Sequence, residues 1–252
     1  MKEQKKYAIT VIAGLLTIII SSIILFSSGG YAVYTANTAK RKLPVYGVGR
    51  DDGALSISFD CAWGTDYTDK ILDTLDFYNV KATFFVVQFW AEKYPDYLKK
   101  IVERGHEVGT HSKTHPKMSE LSAEEIEEEL KSSVVAIENV TGQKVKLFRP
   151  PFGDYDDKVI TAAENLGLYT IQWNVDSLDW KNLSAEQIAA RVIKKAGSGA
   201  IVLMHNNGLH TAESLPLIFT ATQQKGLVYR PISELIYTDD FRITPDGTQI
   251  KN

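Results

Sequence analysis

The stretch Ala54–Thr110, ALSISFDCAWGTDYTDKILDTLDFYNVKATFFVVQFWAEKYPDYLKKIVERGHEVGT, decides the fold. Leu55–Phe59 reads as a strand, Thr68–Tyr78 as a helix, Ala82–Val87 as a strand, Pro95–Arg104 as a helix and Glu107–Thr110 as a short strand. Short apolar strands separated by helices argue for parallel β/α units. Outward from there the alternation continues. Ser122–Val140, Asp156–Leu166, Ser184–Ala196 and Ala212–Gln224 read as helices. Val145–Phe148, Tyr169–Val175, Ala200–Met204 and Leu227–Arg230 read as strands, with a short helical turn after the last. Two helix starts are marked: Ser122 with Glu125 and Ser184 with Gln187 have capping-box spacing, each with a staple pair, Leu121/Ile126 and Leu183/Ile188. About seven such units fit an α/β fold of the closed or nearly closed (β/α) barrel type better than a small open sheet.

The chain has 252 residues, 44% hydrophobic and 23% charged, which excludes a disordered or low-complexity protein. Its net charge of −3 is unevenly placed, because residues 1–42 hold six Lys/Arg against one Glu. The remaining body is acidic, which argues against a nucleic-acid partner. A single cysteine, Cys61, excludes an internal disulfide framework. Ala8–Phe26 is 19 residues without a charge, roughly 28 Å as a helix, and long for a cleaved signal. The expected layout is therefore a tail at 1–7, a transmembrane anchor at 8–26 and a linker at 27–50. A catalytic domain at 51–237 and a polar, loose tail at 238–252 follow. The lysines before the span are nearly balanced by Lys40, Arg41 and Lys42 after it. The short tail and large following domain favour a single-pass protein of the cell membrane with its domain outside the cytoplasm.

Chemistry-bearing residues fall at the C-terminal ends of the expected strands: Asp60, His111 with His115, Arg149, Asp176 with Asp179, and His205. That is the end of a β/α barrel where active sites are built. His111-Ser-Lys-Thr-His115 sets two imidazoles four residues apart, either a two-nitrogen metal clamp or two surface histidines on a loop. Arg149-Pro-Pro-Phe-Gly153 is a stiff loop that can hold a backbone N–H toward an oxyanion, or an ordinary turn. Asp176-Ser-Leu-Asp-Trp180 offers an aromatic sugar wall and an imidazole-orienting carboxylate, or an acidic helix start. Val202-Leu-Met-His205 ends a buried strand in a candidate general acid or a core histidine. His106 and His210 read as surface or structural, and Glu124–Glu129 as a solvated helix face.

In this order, S-F-D60, H-S-K-T-H, R-P-P-F-G, D-S-L-D-W and L-M-H resemble the five motifs of the polysaccharide deacetylase family (NodB homology, carbohydrate esterase family four). They cover about residues 55–206, and the S-F-D-x-A-W-G form looks most like the PdaB-type sporulation branch. The resemblance implies a distorted (β/α) barrel and metal-dependent removal of acetyl groups from sugars, here cell-wall glycan of the peptidoglycan type. It implies Asp60 as general base and His111 and His115 as ligands of a divalent metal, usually Zn2+. It implies Arg149 as the residue orienting Asp60, and His205 as the acid protonating the leaving amine, tuned by Asp179. The Phe152 N–H, where tyrosine is commoner, would serve the oxyanion. Trp180 and Leu203 would line the acetyl pocket.

One departure bears on the chemistry. The family's first motif reads F-D-D-G, its second Asp a metal ligand, and here that position is Cys61, followed by Ala62-Trp63-Gly64. Four readings stand open. Cys61 ligates zinc as a thiolate; Asp66 swings in as the third ligand; the protein is a metal-poor glycan binder or sporulation-assembly scaffold; or Cys61 is a small inert core thiol. An O-acetyl esterase would use the same apparatus, since one tetrahedral intermediate serves ester and amide.

Overall fold

The computed structural model describes residues 41–252. The expected tail 1–7, the anchor 8–26 and most of the linker lie outside the described residues. Among the described residues no helix is long and apolar enough to cross a membrane.

The strands are β1 Gly47–Val48, β2 Ala54–Cys61, β3 Thr83–Val86, β4 Glu107–Thr110, β5 Leu147–Phe148, β6 Tyr169–Thr170, β7 Val175–Asp176, β8 Ile201–His205, β9 Val228–Tyr229, β10 Phe241–Ile243 and β11 Thr248–Lys251. The helices are α1 Thr68–Phe77, α2 Gln88–Lys93, α3 Pro95–Glu103, α4 Ala123–Thr141, α5 Asp157–Asn165, α6 Ala185–Lys195, α7 Thr211–Gln224 and α8 Ile232–Leu235. Strands β6-β5-β4-β3-β2-β8-β7 lie side by side, with β9 paired to the start of β2. Every pairing in this sheet is parallel. The sheet curls with helices outside it, a barrel left unclosed where β6 and β7 form opposite edges.

Central strand β2 shows how the sequence builds two cores. A parallel strand buried on both faces still alternates its side chains. Leu55, Ile57, Phe59 and Cys61 join the larger apolar core with helix residues such as Ile71, Leu75 and Phe219. Ala54 joins the inner core with Phe85, Leu147, Ile171 and Ile201. On the Ala54 face, Ser56 Oγ donates to Arg230 O at 2.6 Å and Ser58 Oγ to Val202 O at 2.7 Å. Both expected capping boxes form, at the starts of α4 and α6.

Three expectations change. Tyr169–Val175 is not one strand: β6 and β7 sit at the two edges, and residues 171–174 cross the open side between them. Residues 45–48, expected as linker, fill that seam. Val45 N–H donates to Thr170 O at 2.9 Å, Gln172 N–H to Val45 O at 2.7 Å, and Val48 N–H to Gly199 O at 2.9 Å. The approach at Gly199 (φ +75°) is so close that a Cβ would lie 1.6 Å from Val48 O. Finally, residues 238–252 are not loose. β10 and β11 form an antiparallel hairpin with β1 added in parallel, and the buried Gln249 side chain bonds both Tyr237 N (2.8 Å) and Tyr237 O (2.7 Å).

Candidate active site

The ends of β2, β4, β5, β7 and β8 deliver the chemistry to one rim. Asp60 ends the inward-facing row of β2 and is register partner of His205 on β8. His111 follows β4, and Arg149 follows β5, whose Phe148 pairs with Thr110. Buried Arg149 ties these strands together: its Nη1 donates to Asp60 Oδ1 and to Ser58 Oγ, each at 2.8 Å, and its Nη2 to Gln172 O at 3.2 Å. Its guanidinium lies 4.1 Å from the Phe85 ring centroid. Burial alone would raise the Asp60 pKa, but Arg149, then His111 and His205, outweigh it and hold the carboxyl below its usual range. Asp60 is therefore a buried, ionised base.

Opposite it, His205 Nδ1–H donates to Asp179 Oδ1 at 2.8 Å. Asp179 is fully buried and its Oδ2 accepts from His205 N (2.8 Å) and Thr211 Oγ1 (2.6 Å). Burial works to lower the His205 pKa, but the bond and charge of Asp179 overcome it and the net direction is up. The fixed Nδ1–H leaves Nε2 as the atom that can hold and give a proton.

The imidazole pair behaves differently. His111 Nδ1–H donates to Arg149 O at 2.8 Å, so Nε2 carries the lone pair, and it stands 3.5 Å from Asp60 Oδ2. Burial, opposed by Asp60, lowers the His111 pKa. A bare ring nitrogen facing a carboxylate oxygen calls for a cation or a bridging proton between them. Burial, then His111, pushes His115 down to about 4. Its ring meets His111 (4.9 Å between centroids), Trp63 (5.0 Å) and Phe152 (4.6 Å) edge to face. Two neutral imidazoles beside an anion suit a divalent metal, with Arg149 O as the outer partner that fixes the His111 tautomer.

Cys61 does not join them. It shares the outward face of β2 with Phe59, is fully buried in the larger core, and its Sγ–H donates weakly to Phe59 O at 3.8 Å. Burial, then Asp60, raises its pKa, as for a thiol enclosed in apolar packing. Asp66 is exposed. Among the described residues no group of three or more His, Cys, Asp or Glu is arranged to hold a metal. The reading of Cys61 as a ligand is thus corrected to a core thiol, and the donor set fits a metal on two imidazoles.

Phe152 adopts φ +59° in the R-P-P-F-G turn, and no described residue accepts its N–H. Trp180 is exposed on the turn that carries Asp179, and Leu203 is buried on β8, in register with Ser58 on β2 and Asp176 on β7. Asp176 caps its own turn by accepting from Leu178 N at 2.9 Å. His210 pairs with Glu213 outside the rim. His106 is fully interior rather than on the surface, against Phe84. Glu129, read as solvated, is buried against the His111–His115 loop. Its signal was available: it shares the stripe of Ile126, Leu130, Ser133 and Ile137.

A family model described as polysaccharide deacetylase matches residues 47–171. The peptidoglycan-N-acetylmuramic acid deacetylase PdaA of Bacillus subtilis is 32% identical over 191 residues, 74% of this chain and 73% of that protein. The chain belongs to the polysaccharide deacetylase family. The peptidoglycan-N-acetylglucosamine deacetylase PgdA of Listeria monocytogenes is 36% identical over 77% of this chain, which spans only 41% of that longer protein. Among solved structures, BA3943 of Bacillus anthracis, a CE4 family pseudoenzyme, superposes with a TM-score of 0.74 at 38% identity, covering 76% of this chain and 68% of that one. This deacetylase domain thus resembles both named enzymes and a pseudoenzyme.

Proposed function

We propose that the chain is a carbohydrate N-deacetylase acting on cell-wall glycan of the peptidoglycan type. The observation that carries this is the register pair Asp60 and His205, side by side on β2 and β8, with the Asp60 carboxyl held below its usual range and the His205 pKa raised by Asp179. Ionised Asp60, oriented by Arg149, takes a proton from the attacking water. The acetamide carbonyl becomes a tetrahedral oxyanion beside the Phe152 N–H. His205, held by Asp179, protonates the departing amine, which leaves poorly as an anion. Trp180 and Leu203 enclose the acetyl methyl. A divalent ion, zinc by the family pattern, would be held by His111 and His115 and would supply Lewis-acid polarisation.

The full chain, supplied with zinc or cobalt, is expected to release acetate from peptidoglycan fragments. Asp60→Asn is expected to cut release on the order of 10^3-fold without loss of fold. A second reading, a glycan-binding protein without turnover, is favoured by the lack of a third protein ligand at Cys61. Glycan binding unaffected by Asp60→Asn, with no acetate from metal-loaded wild type, would replace the first reading with the second. The proposal extends to location: residues 8–26 anchor the domain at the outer face of the cell membrane, with a role in sporulation suggested by the motif form at residues 58–64. Membrane fractionation with protease access in intact cells tests the anchoring.

A further inference from the structure

We infer that Glu129 is a positioning residue whose carboxylate sets the spacing of the imidazole pair. This rests on the reading of His111 and His115 as the metal-binding pair. The loop between them is an unfavourable piece of backbone: Ser112 (φ +73°) and His115 (φ +60°) both sit in the left-handed region without being glycine. Such a loop persists only if its surroundings hold it. Glu129, buried on α4, does so with one carboxylate. Its Oε2 accepts from the backbone N–H of Lys113 and of Thr114, each at 2.8 Å, and its Oε1 accepts from Thr114 Oγ1 at 2.6 Å.

The rest of the loop is tied to the same helix. Ser133, one turn beyond Glu129 on that face, is 2.6 Å from Thr110 Oγ1, which accepts from Ser112 N at 3.2 Å. His115 N–H donates to Ser112 Oγ at 3.0 Å. Each backbone N–H from Ser112 to His115 therefore ends on a side-chain oxygen, and Glu129 takes the middle two. A neutral amide can keep this pattern, its oxygen on the two backbone N–H groups and its NH2 donating to the Thr114 hydroxyl, so the variant that removes the brace is Glu129→Ala, which leaves no acceptor. In Glu129→Ala the Lys113 and Thr114 N–H groups lose their acceptor, and the ring of His115 leaves its place between Trp63 and Phe152.

That displacement has a readout independent of turnover. The chain has five histidines, so ring-labelled samples give a short set of resonances. In Glu129→Ala the His115 ring signals should move, as the edge-to-face rings of Trp63 and Phe152 no longer shift them, while those of His205 stay. Zinc affinity, measured by chelator competition, should fall about 10–100-fold, the usual cost of losing an outer partner of a metal site. Unchanged His115 signals with unchanged zinc affinity would overturn the inference. If Glu129→Ala does not fold, seen as displaced His205 signals, Thr114→Val removes only the hydroxyl bond. A smaller His115 shift then supports the inference, and none overturns it. Absence of zinc uptake by wild type would count against the metal in the proposed function, and the His115 signals would still decide the role of Glu129.

Discussion

Two sets of imidazoles on one rim are pushed in opposite directions in pKa. His111 and His115 are driven toward the neutral form by burial. His205 is partly buried too, yet its pKa rises, because Asp179 lies against its Nδ1. The residue type is the same and the desolvation acts in the same direction; the partner decides. A backbone carbonyl on His111 fixes a tautomer without paying for a charge, whereas a carboxylate on His205 supports the cation. The molecule thereby holds two imidazoles biased toward the neutral form and one biased toward the cation at the same strand ends.

The most direct way to break this contrast is to remove the anion that stands between the two sets. Asp60 faces His111 Nε2 and pairs in register with His205. Asp60→Asn should cost on the order of 10^3-fold in acetate release. Glycan affinity should change little, measured by equilibrium binding.

His106 extends the comparison to a histidine whose ring bonds no carboxylate. Burial, then Lys81, pushes it down to about 4, and its Nε2 has no hydrogen-bond partner among the described residues. A depressed folded pKa means its contribution to stability is complete above the unfolded value of 6.5 and is lost as the pH falls toward 4. The loss is about 3 kcal/mol across that window. Urea unfolding at pH 7 and pH 4.5 should show a smaller acid loss in His106→Gln than in wild type; equal losses would place the acid sensitivity elsewhere.

Asp179→Asn sharpens the contrast from the other side, converting the His205 environment toward that of His111. A fall of about 10^2-fold in kcat is expected. The raised His205 pKa should drop, so its acid form disappears at a lower pH and the alkaline limb of the rate profile moves toward acid. A limb that stays in place would mean that another group gives the proton.

How far the sequence carries this picture differs from residue to residue. Asp60, His111, Arg149 and His205 are legible because each closes an apolar run, and a parallel β/α fold gathers strand ends on one face. The seam is not legible: residues 169–175 read as one strand until Val45, far off in the chain, takes up the backbone bonds between Thr170 and Gln172. Glu129 is masked by its acidic neighbours, although its place in the Ile126–Leu130–Ser133 stripe marks it as inward-facing. Cys61 is the instructive case, because two signals compete there. Motif position makes it a metal ligand, and the alternation of Leu55, Ile57, Phe59 and Cys61 makes it core. Strand parity prevails, since a side chain cannot change face without moving its neighbours.

The smallest expected effect tests that parity. If Cys61 is packing, Cys61→Ala removes one buried sulfur and leaves a small void beside Phe59 and Val86. The cost should be about 1 kcal/mol, comparable to deleting a methyl group from a core. Zinc stoichiometry and affinity should remain those of the wild type, because the imidazoles on the other face are untouched. A ligand would behave in the opposite way, with little effect on the unfolding midpoint in chelator and a steep loss of bound zinc. Unfolding in the presence and absence of chelator therefore separates the two roles. Loss of zinc in Cys61→Ala would show that β2 turns its last residue toward the cleft when metal is present.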